Sequence, residues 1–530
     1  MIKILLHSTH MKFYFNNASE EEEQKAKSIL TTRFKARDTS MNHDYRVKKG
    51  LIDNVKNFYI DNHNMLPSGF ILPVKEYFDK ASLDYEIVDM RQFPKPDMEF
   101  LKKLKAGKVE IGRDTKTGKP YVPREHQIEA VLSCVQAKHG IVWAPMGFGK
   151  SFCMYLLTKV FPKTKIIFLF SSIDILMQTY NVFVNEYQHD PNEIGVIQGS
   201  NRDDDKRIIL LSIFSYQKAF HLFNDFRIAI CDEVHETGVN DTSELILHSM
   251  QNCAMRFGFS ATPKHDNPYR SMKVYANIGP IIYRKKIKEQ IDIGTLAKTG
   301  ISIITYECQS LPVIRSYSDV YETLAVTKKR TEEDLVKAGF EIIEKKNKKY
   351  GRRFIQYGNE TTHYVNNNVR NNIIAQLAIE RSKNGKRVLI LFSKIKQGEN
   401  IKQILDSVNI ESMLIHGKHD KQEKKEAELY LRTRPGAIVL ASSIWNTGID
   451  IEEIDVYINA AGGVSSIEAI QKLGRVIRKS KTTNKHIAEV IDFDDSALSP
   501  LGRKQSQTRI QLYENEELPI KYENYIEKNI

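Results

Sequence analysis

The 530 residues carry 78 Lys and Arg against 66 Asp and Glu, for a formal charge of +12, with 41% hydrophobic and 27% charged residues. That mixture lies near globular averages and excludes a mainly disordered chain, while the length points to three or four domains of about 150 residues. Apolar stretches such as Ile166–Phe170 fall far short of the about 18 to 20 residues a spanning helix needs, so no bilayer crossing is expected.

The opening residues, MIKILLHSTHMKFYFNN, read as a first strand rather than a secretory signal. Short strands are expected at Ile2–Leu6 and Lys12–Phe15. Ser19 then caps a helix whose first turn is Glu20-Glu21-Glu22-Glu23, where carboxylates meet the positive helix end. A strand over Val55–Ile60 is punctuated by Leu66-Pro67-Ser68-Gly69-Phe70; a helix at Pro73–Ala81 and a strand at Tyr85–Val88 follow. Arg91–Asp97, with two prolines, reads as a linker. Residues 1–105 are thus expected to form a small α+β accessory domain.

From residue 106 to 290 the pattern changes to buried-type strands (Ile141–Trp143, Ile166–Phe170, Ile208–Ser212, Ile228–Cys231, Met255–Phe259) alternating with helices. Continuous apolar strands separated by helices indicate a parallel sheet covered on both faces. Residues 291–505 repeat the alternation, with strands at Val388–Phe392, Ser412–Ile415, Ala437–Ala441, Val456–Asn459 and Ala488–Ile491. Inside this second α/β region, about 311–364 stand apart. Lys345-Lys346-Asn347-Lys348-Lys349-Tyr350-Gly351-Arg352-Arg353, with Phe354 and Tyr357 beyond, reads either as a solvated hairpin loop or as a basic, aromatic nucleic-acid contact. Residues 506–530 are expected to be a polar tail. Cys134, Cys153, Cys231, Cys253 and Cys308 are scattered, so neither a zinc site nor a disulfide framework is expected and a reduced cytoplasm is the natural compartment. The positive balance favours polyanions, nucleic acid foremost.

Ala144-Pro145-Met146-Gly147-Phe148-Gly149-Lys150-Ser151 lies between the strand Ile141–Trp143 and the apolar helix Phe152–Val160. Small residues there let backbone N–H groups turn inward around phosphate oxygens. Lys150 then reaches the β- and γ-phosphates of a nucleoside triphosphate, and the Ser151 hydroxyl can ligate Mg²⁺. Cys231-Asp232-Glu233-Val234-His235 ends an apolar strand with two carboxylates: Asp232 for the Mg²⁺, Glu233 to polarise the attacking water. Ser260-Ala261-Thr262 ends the next strand, and its two hydroxyls are candidates for coupling the phosphate site to movement. In Gln471-Lys472-Leu473-Gly474-Arg475-Val476-Ile477-Arg478, Arg475 and Arg478 share a helix face and are candidate arginine fingers; Thr447-Gly448-Ile449-Asp450 precedes them.

This order of motifs, over Arg124 to Phe493, resembles the superfamily-2 helicases. The resemblance implies two tandem RecA-like P-loop NTPase domains, α/β with helix-covered parallel sheets, after the small α+β domain. It also implies ATP and Mg²⁺ as cofactors. By that resemblance Arg124 and Gln127 read the adenine, with His126 where the family has an aromatic, usually tyrosine; Gly448, Asp450 and Gln471 join the nucleotide site, and His235 joins Ser260 and Thr262 in coupling. Ser172 and Gln178 (with Ser171-Ser172 in place of the more usual Pro-Thr), Ser215 and Gln217, and then Ser393, Ser442 and Thr447 fall where the family grips nucleic acid. The N-terminal module looks like that of the UvsW-type recombination helicases of tailed bacteriophages, although Lys48-Lys49-Gly50 stands where a Trp-Asp-Gly is associated with it. Those relatives imply work on single-stranded, forked or four-way-junction DNA in the host cytoplasm. They also imply phage recombination or single-strand-binding proteins as candidate partners, and a monomer when free. An RNA helicase or a double-stranded DNA translocase of the restriction type would use the same core, and a non-catalytic clamp would keep the fold. The N-terminal module either recognises duplex or junction DNA or merely packs against the first α/β domain.

Overall fold

The computed structural model describes residues 1–115, 117–308, 322–323, 341–345, 348–352, 364–442, 453–463, 487–498 and 500–525. One compact unit holds Met1–Gln290 and a second begins at Ile291.

The first unit opens with a four-stranded sheet built from β1 (Ile2–Leu6), β2 (His10–Tyr14), β3 (Met65–Pro67) and β4 (Tyr85–Asp89), in the order β3-β2-β1-β4. In β1, Ile2, Ile4 and Leu6 are buried and Lys3 is exposed, so one face meets the core. Helix α1 (Glu20–Arg33) covers that face, together with α2 (Ile71–Lys80). Ser19 Oγ accepts from Glu22 N at 3.2 Å while Glu22 Oε2 accepts from Ser19 N at 2.9 Å, the reciprocal cap the sequence signals. Helix α2 starts two residues before the expected Pro73, because first-turn N–H groups have no intrahelical acceptor and proline forfeits nothing there. The strand expected over Val55–Ile60 shortens to Val55–Asn57, paired antiparallel with Lys35–Arg37.

The boundary expected at residue 105 falls earlier. Arg91–Asp97 is indeed a connection, but α3 (Met98–Lys105) buries Leu101 and Leu104 in the core of the following α/β domain. That domain is an eight-stranded sheet: β5 (His139–Trp143), β6 (Ile166–Phe170), β7 (Ile194–Gln198), β8 (Asn201–Arg202), β9 (Ile208–Ser212), β10 (Ile228–Asp232), β11 (Met255–Ser260) and β12 (Ile281–Arg284), ordered β8-β7-β9-β6-β10-β11-β5-β12. All pairings but that of the short β8 are parallel. Every residue of β6, β9, β10 and β11 is buried, as a sheet with both faces covered requires. α4 (Glu125–Ala137), α5 (Lys150–Val160) and α6 (Ile173–Asn181) pack on one face; α7 (Asp241–Ser249) and α8 (Pro268–Ile278) pack on the other. The N-terminal module sits on α8. Ala276 is part of the module's core, Asn267 Nδ2 donates to Asp38 Oδ1 at 2.7 Å, and a Cβ at Gly69 would lie 2.0 Å from Tyr275 O.

The second unit is a seven-stranded sheet of β13 (Lys298–Tyr306), β14 (Val388–Phe392), β15 (Met413–Ile415), β16 (Ile438–Ser442), β17 (Val456–Asn459), β18 (Ile487–Phe493) and β19 (Ile520–Tyr525). The order is β15-β16-β14-β17-β18-β13-β19, and all pairings are parallel. Helices α9 (Asn368–Lys383), α10 (Ile395–Ser407) and α11 (Lys421–Thr433) follow in the chain, and α9 and α10 bury Ile373, Ile374, Leu377, Ile401 and Leu405 in its core. Within the basic insertion, Glu341–Lys345 and Lys348–Arg352 pair antiparallel, and Glu322–Thr323 adds to the second strand.

The tail expected at residues 506–530 is not a tail over its described part. Helix α12 (Pro500–Asn515) runs through the 505/506 boundary, and β19 completes the sheet beside β13. A buried ionic network explains why so polar a segment is ordered. Arg509 Nε and Nη2 donate to Asp492 at 2.9 and 3.0 Å, Tyr513 Oη donates to Asp492 Oδ2 at 2.8 Å, and Arg370 Nε donates to Asp495 Oδ1 at 2.8 Å. Those polar residues are core residues here, which hydropathy alone cannot reveal.

Candidate functional site

Neighbouring strands β5, β11 and β10 end together, with Trp143 opposite Ser260 and Phe259 opposite Asp232. The loops leaving those ends converge. Gly147 and Gly149 take φ of +80° and +86°, the left-handed conformation in which successive N–H groups can line a concave anion nest. Gly149 is also tight, since a Cβ there would fall 2.2 Å from Gln127 Nε2. Gln127 braces the loop from α4: Nε2 donates to Phe148 O at 2.8 Å and Oε1 accepts from Arg124 N at 2.9 Å. His126 is buried with its ring 4.7 Å from that of Phe148, and burial, then the nearby Arg124 charge, pulls its pKa down to about 4. It packs as a neutral ring.

Lys150 Nζ leans on Ala144 O at 3.4 Å and lies 4.0 Å from Glu233 Oε1, next to Ser151 at the start of α5. Asp232 is buried. Burial first, then the Glu233 charge, raises its pKa to about 7, with Lys150 opposing them. Glu233 takes φ of +43°, a left-handed turn that is costly for a non-glycine residue and that aims its side chain off the strand end. Its Oε2 lies 3.4 Å from Ser260 Oγ and 3.3 Å from His235 Nδ1, while His235 Nδ1 and Ser260 Oγ are 2.8 Å apart. Burial holds His235 below its ordinary pKa, against the pull of Glu233 and Glu236. Thr262 N donates to the same Ser260 Oγ at 2.9 Å. Lys150, Asp232, Glu233, His235, Ser260 and Thr262 are therefore one connected cluster. Two contributors were missed from sequence: Thr237, whose Oγ1 donates to Asp232 O at 2.9 Å, and Trp143, whose Nε1 donates to Ala261 O at 2.8 Å under the Arg284 guanidinium. The position of Trp143 just before the phosphate loop was the available signal for the second.

Ser172 caps α6, accepting from Ile175 N at 3.4 Å, and Gln178 is exposed on that helix. Ser215 Oγ accepts from Gly199 N at 3.1 Å, and Gln217 is exposed two residues on. In the second unit, Ser393 follows β14 and is exposed, while Ser442 ends the adjacent β16 and is buried, its hydroxyl without a hydrogen-bond partner among the described residues. Thr447, Gly448, Asp450, Gln471, Arg475 and Arg478 lie outside the described residues. Among the described residues no group of three His, Cys, Asp or Glu side chains forms a metal site, and no helix is long and apolar enough to cross a membrane. A phosphate loop with a buried acid beside it still suits Mg²⁺, which at such sites takes one or two protein ligands and completes its shell with phosphate oxygens and water.

Two α/β sheets, the first with a glycine nest, a lysine and paired carboxylates at its strand ends, define an ATP-driven P-loop enzyme. Residues 120–265 match the family model for the type III restriction enzyme res subunit, and residues 369–480 match that for the helicase conserved C-terminal domain. The chain is 24% identical over 417 residues to the DNA 3'-5' translocase XPB2 of Sulfurisphaera tokodaii, spanning 77% of this chain and 85% of that one. It is 23% identical over 454 residues to the ATP-dependent DNA helicase uvsW of Enterobacteria phage T4, spanning 83% and 81%. A fragment of an HsdR subunit of a type I restriction enzyme from Vibrio vulnificus YJ016 shares the fold, with a TM-score of 0.51 at 15% identity over 76% of this chain and 68% of that one. The two domain matches and these relatives make the chain similar to the superfamily-2 helicases, with UvsW among those it resembles.

Proposed function

We propose that the chain is an ATP-driven DNA helicase and translocase acting on branched DNA, through branch migration, fork remodelling and unwinding in phage recombination, replication and repair in the host cytoplasm. The observation that carries the reading is the convergence of Lys150, Asp232 and Glu233 on one glycine-lined strand end. The named activities of the two relatives, a DNA translocase and a DNA helicase, support DNA as the track.

In this reading the N–H groups of Met146–Gly149 and the Lys150 ammonium hold the β- and γ-phosphates, with Gln127 keeping the loop in shape. Ser151 and Asp232 would hold Mg²⁺, which when bound offsets phosphate charge. Glu233 takes the proton of the attacking water, oriented by His235 and Ser260. Arg475 and Arg478 act as transition-state guanidiniums, and Arg124, Gly448, Asp450 and Gln471 complete the nucleotide contacts. Ser172, Gln178, Ser215, Gln217, Ser393, Ser442 and Thr447 contact the phosphate backbone, so binding is salt-sensitive and largely sequence-independent.

ATPase and strand-displacement assays with single-stranded DNA, duplex, forks, four-way junctions and RNA test it. Forks or junctions should stimulate most, and Glu233→Gln should abolish turnover while leaving DNA binding in place. Strongest stimulation by RNA, or turnover by Glu233→Gln at the parental rate, would overturn it. The match of residues 120–265 to a restriction-enzyme motor subunit favours one second reading, a duplex translocase, which would displace a third strand from duplex DNA without unwinding forks.

A further inference from the structure

The turn that carries Glu233 is tied to the loop that caps α6, and the tie runs through side chains that the nucleotide site does not use. Glu233 sits in the left-handed region, and its turn is closed by Glu236 N donating to Glu233 O at 2.8 Å. The Glu236 side chain reaches away from the site and accepts a hydrogen bond from Ser171 Oγ at 2.5 Å, 65 residues earlier in the chain. Its other oxygen lies 3.9 Å from His235 Nε2, and His235 Nδ1 in turn faces Ser260 Oγ and Glu233 Oε2. Ser171 follows β6 directly and precedes Ser172, the cap of α6. Glu236 is largely exposed, so its place is set by Ser171 rather than by enclosure.

We infer that Ser171 and Glu236 form a relay that positions Glu233 in response to nucleic acid on the α6 cap, coupling occupancy of that loop to ATP hydrolysis. Ser171 is a positioning residue that acts through the Glu236 carboxylate on the Glu233 turn. A displacement of the loop by a bound strand pulls on Glu236, and the Glu233 backbone, held in a turn that few residues adopt, is the element that responds. Members of one hydrogen-bonded network lose function non-additively when removed together, which is the signature this relay should show.

The inference rests on the reading of the chain as a nucleic-acid-stimulated ATPase. The experiment measures kcat and KM for ATP, with and without saturating single-stranded DNA, for the full-length parent, Ser171→Ala, Ser171→Thr, Glu236→Ala and the double Ser171→Ala/Glu236→Ala. Ser171→Ala is expected to lower the DNA-stimulated kcat about five- to tenfold, with KM for ATP, DNA affinity and the unstimulated rate unchanged. Ser171→Thr, which keeps the hydroxyl, should restore stimulation, and the double variant should be no worse than either single one. Stimulation intact in Ser171→Ala, an unstimulated rate that falls by the same factor, or additive losses would overturn the relay alone. A parent enzyme that no nucleic acid stimulates would overturn the reading and the relay together.

Discussion

Replacing Arg509 with methionine isolates what holds the last helix in the second unit. Arg509 is 2% exposed and donates to both Asp492 oxygens, to Gly463 O at 2.8 Å and to Phe493 O at 3.0 Å. Methionine fills much of the same volume but supplies no charge, so among the described residues Asp492 keeps Tyr513 Oη, Asn459 Nδ2 and its own backbone contact from Phe493 N. Removing one partner of a buried pair costs about 3 to 5 kcal/mol, chiefly because the remaining charge is stranded. Adding Asp492→Asn removes that stranded charge and should recover a large share of the loss. The sign of the pH dependence follows from Asp492. Burial raises its pKa, but the Arg509 charge and hydrogen bonds outweigh that and hold it below the ordinary carboxylate value of 3.8. The pair's stabilisation is therefore present in full above that ordinary value and is lost as the pH falls through the depressed one. Urea unfolding followed by fluorescence, with the second transition compared among parent, single and double variants at pH 7.5, checks the magnitude. A single variant within 1 kcal/mol of the parent, or a double variant less stable than Arg509→Met, would refute the reasoning.

Three other outcomes are expected. Gly69→Ala forces a methyl against the Tyr275 and Ala276 carbonyl oxygens, backbone atoms that cannot rotate away, and should cost about 1 to 3 kcal/mol or more; faster limited proteolysis between residues 89 and 98 is the readout. Asp232→Asn should abolish ATPase activity yet stabilise the apo protein. Because folding raises this carboxyl from 3.8 to about 7, the native state binds the extra proton in that interval and parental stability declines as pH rises through it. The gain in unfolding free energy of the variant, read from urea unfolding at each pH, should therefore grow from pH 4 to pH 8, to at most about 4 kcal/mol, and a pH-independent gain would count against the burial argument. Truncation after Gln505 removes Arg509, Tyr513 and β19 together and should leave the second unit unable to show a cooperative thermal transition.

The strands of both sheets were legible wherever four or five buried apolar residues ran together, as in Ile166–Phe170 and Val388–Phe392. Strands at or next to a sheet edge were not. Ile194–Gln198 contains Gly195, Ile281–Arg284 is short, and Ile520–Tyr525 alternates with Lys521 and Glu523, so none presents the continuous run a central strand must. The phosphate loop and paired carboxylates were readable because spacing alone imposes their geometry, and the structure places Lys150, Glu233, His235 and Ser260 beside one another. Gln127, expected at the base, has both ends of its amide bonded to the backbone around the loop, a brace that spacing cannot reveal. The ionic core of the second unit was illegible for a related reason: Arg370, Asp492, Asp495 and Arg509 are charged residues whose burial depends entirely on finding one another across 125 residues of chain or fewer.

The strand order of the second sheet also bears on how this molecule is made. β13, the earliest strand of that sheet, lies between β18 and β19, with Ile301 registered against Val490 on one side and Ile520 on the other. During synthesis β13 emerges from the ribosome long before either neighbour exists. It waits unpaired, Ile301 to Tyr306, until the chain through Tyr525 has been made. Closure of that sheet therefore comes late in synthesis, and a nascent chain stalled short of β19 presents an uncovered strand edge open to non-native pairing.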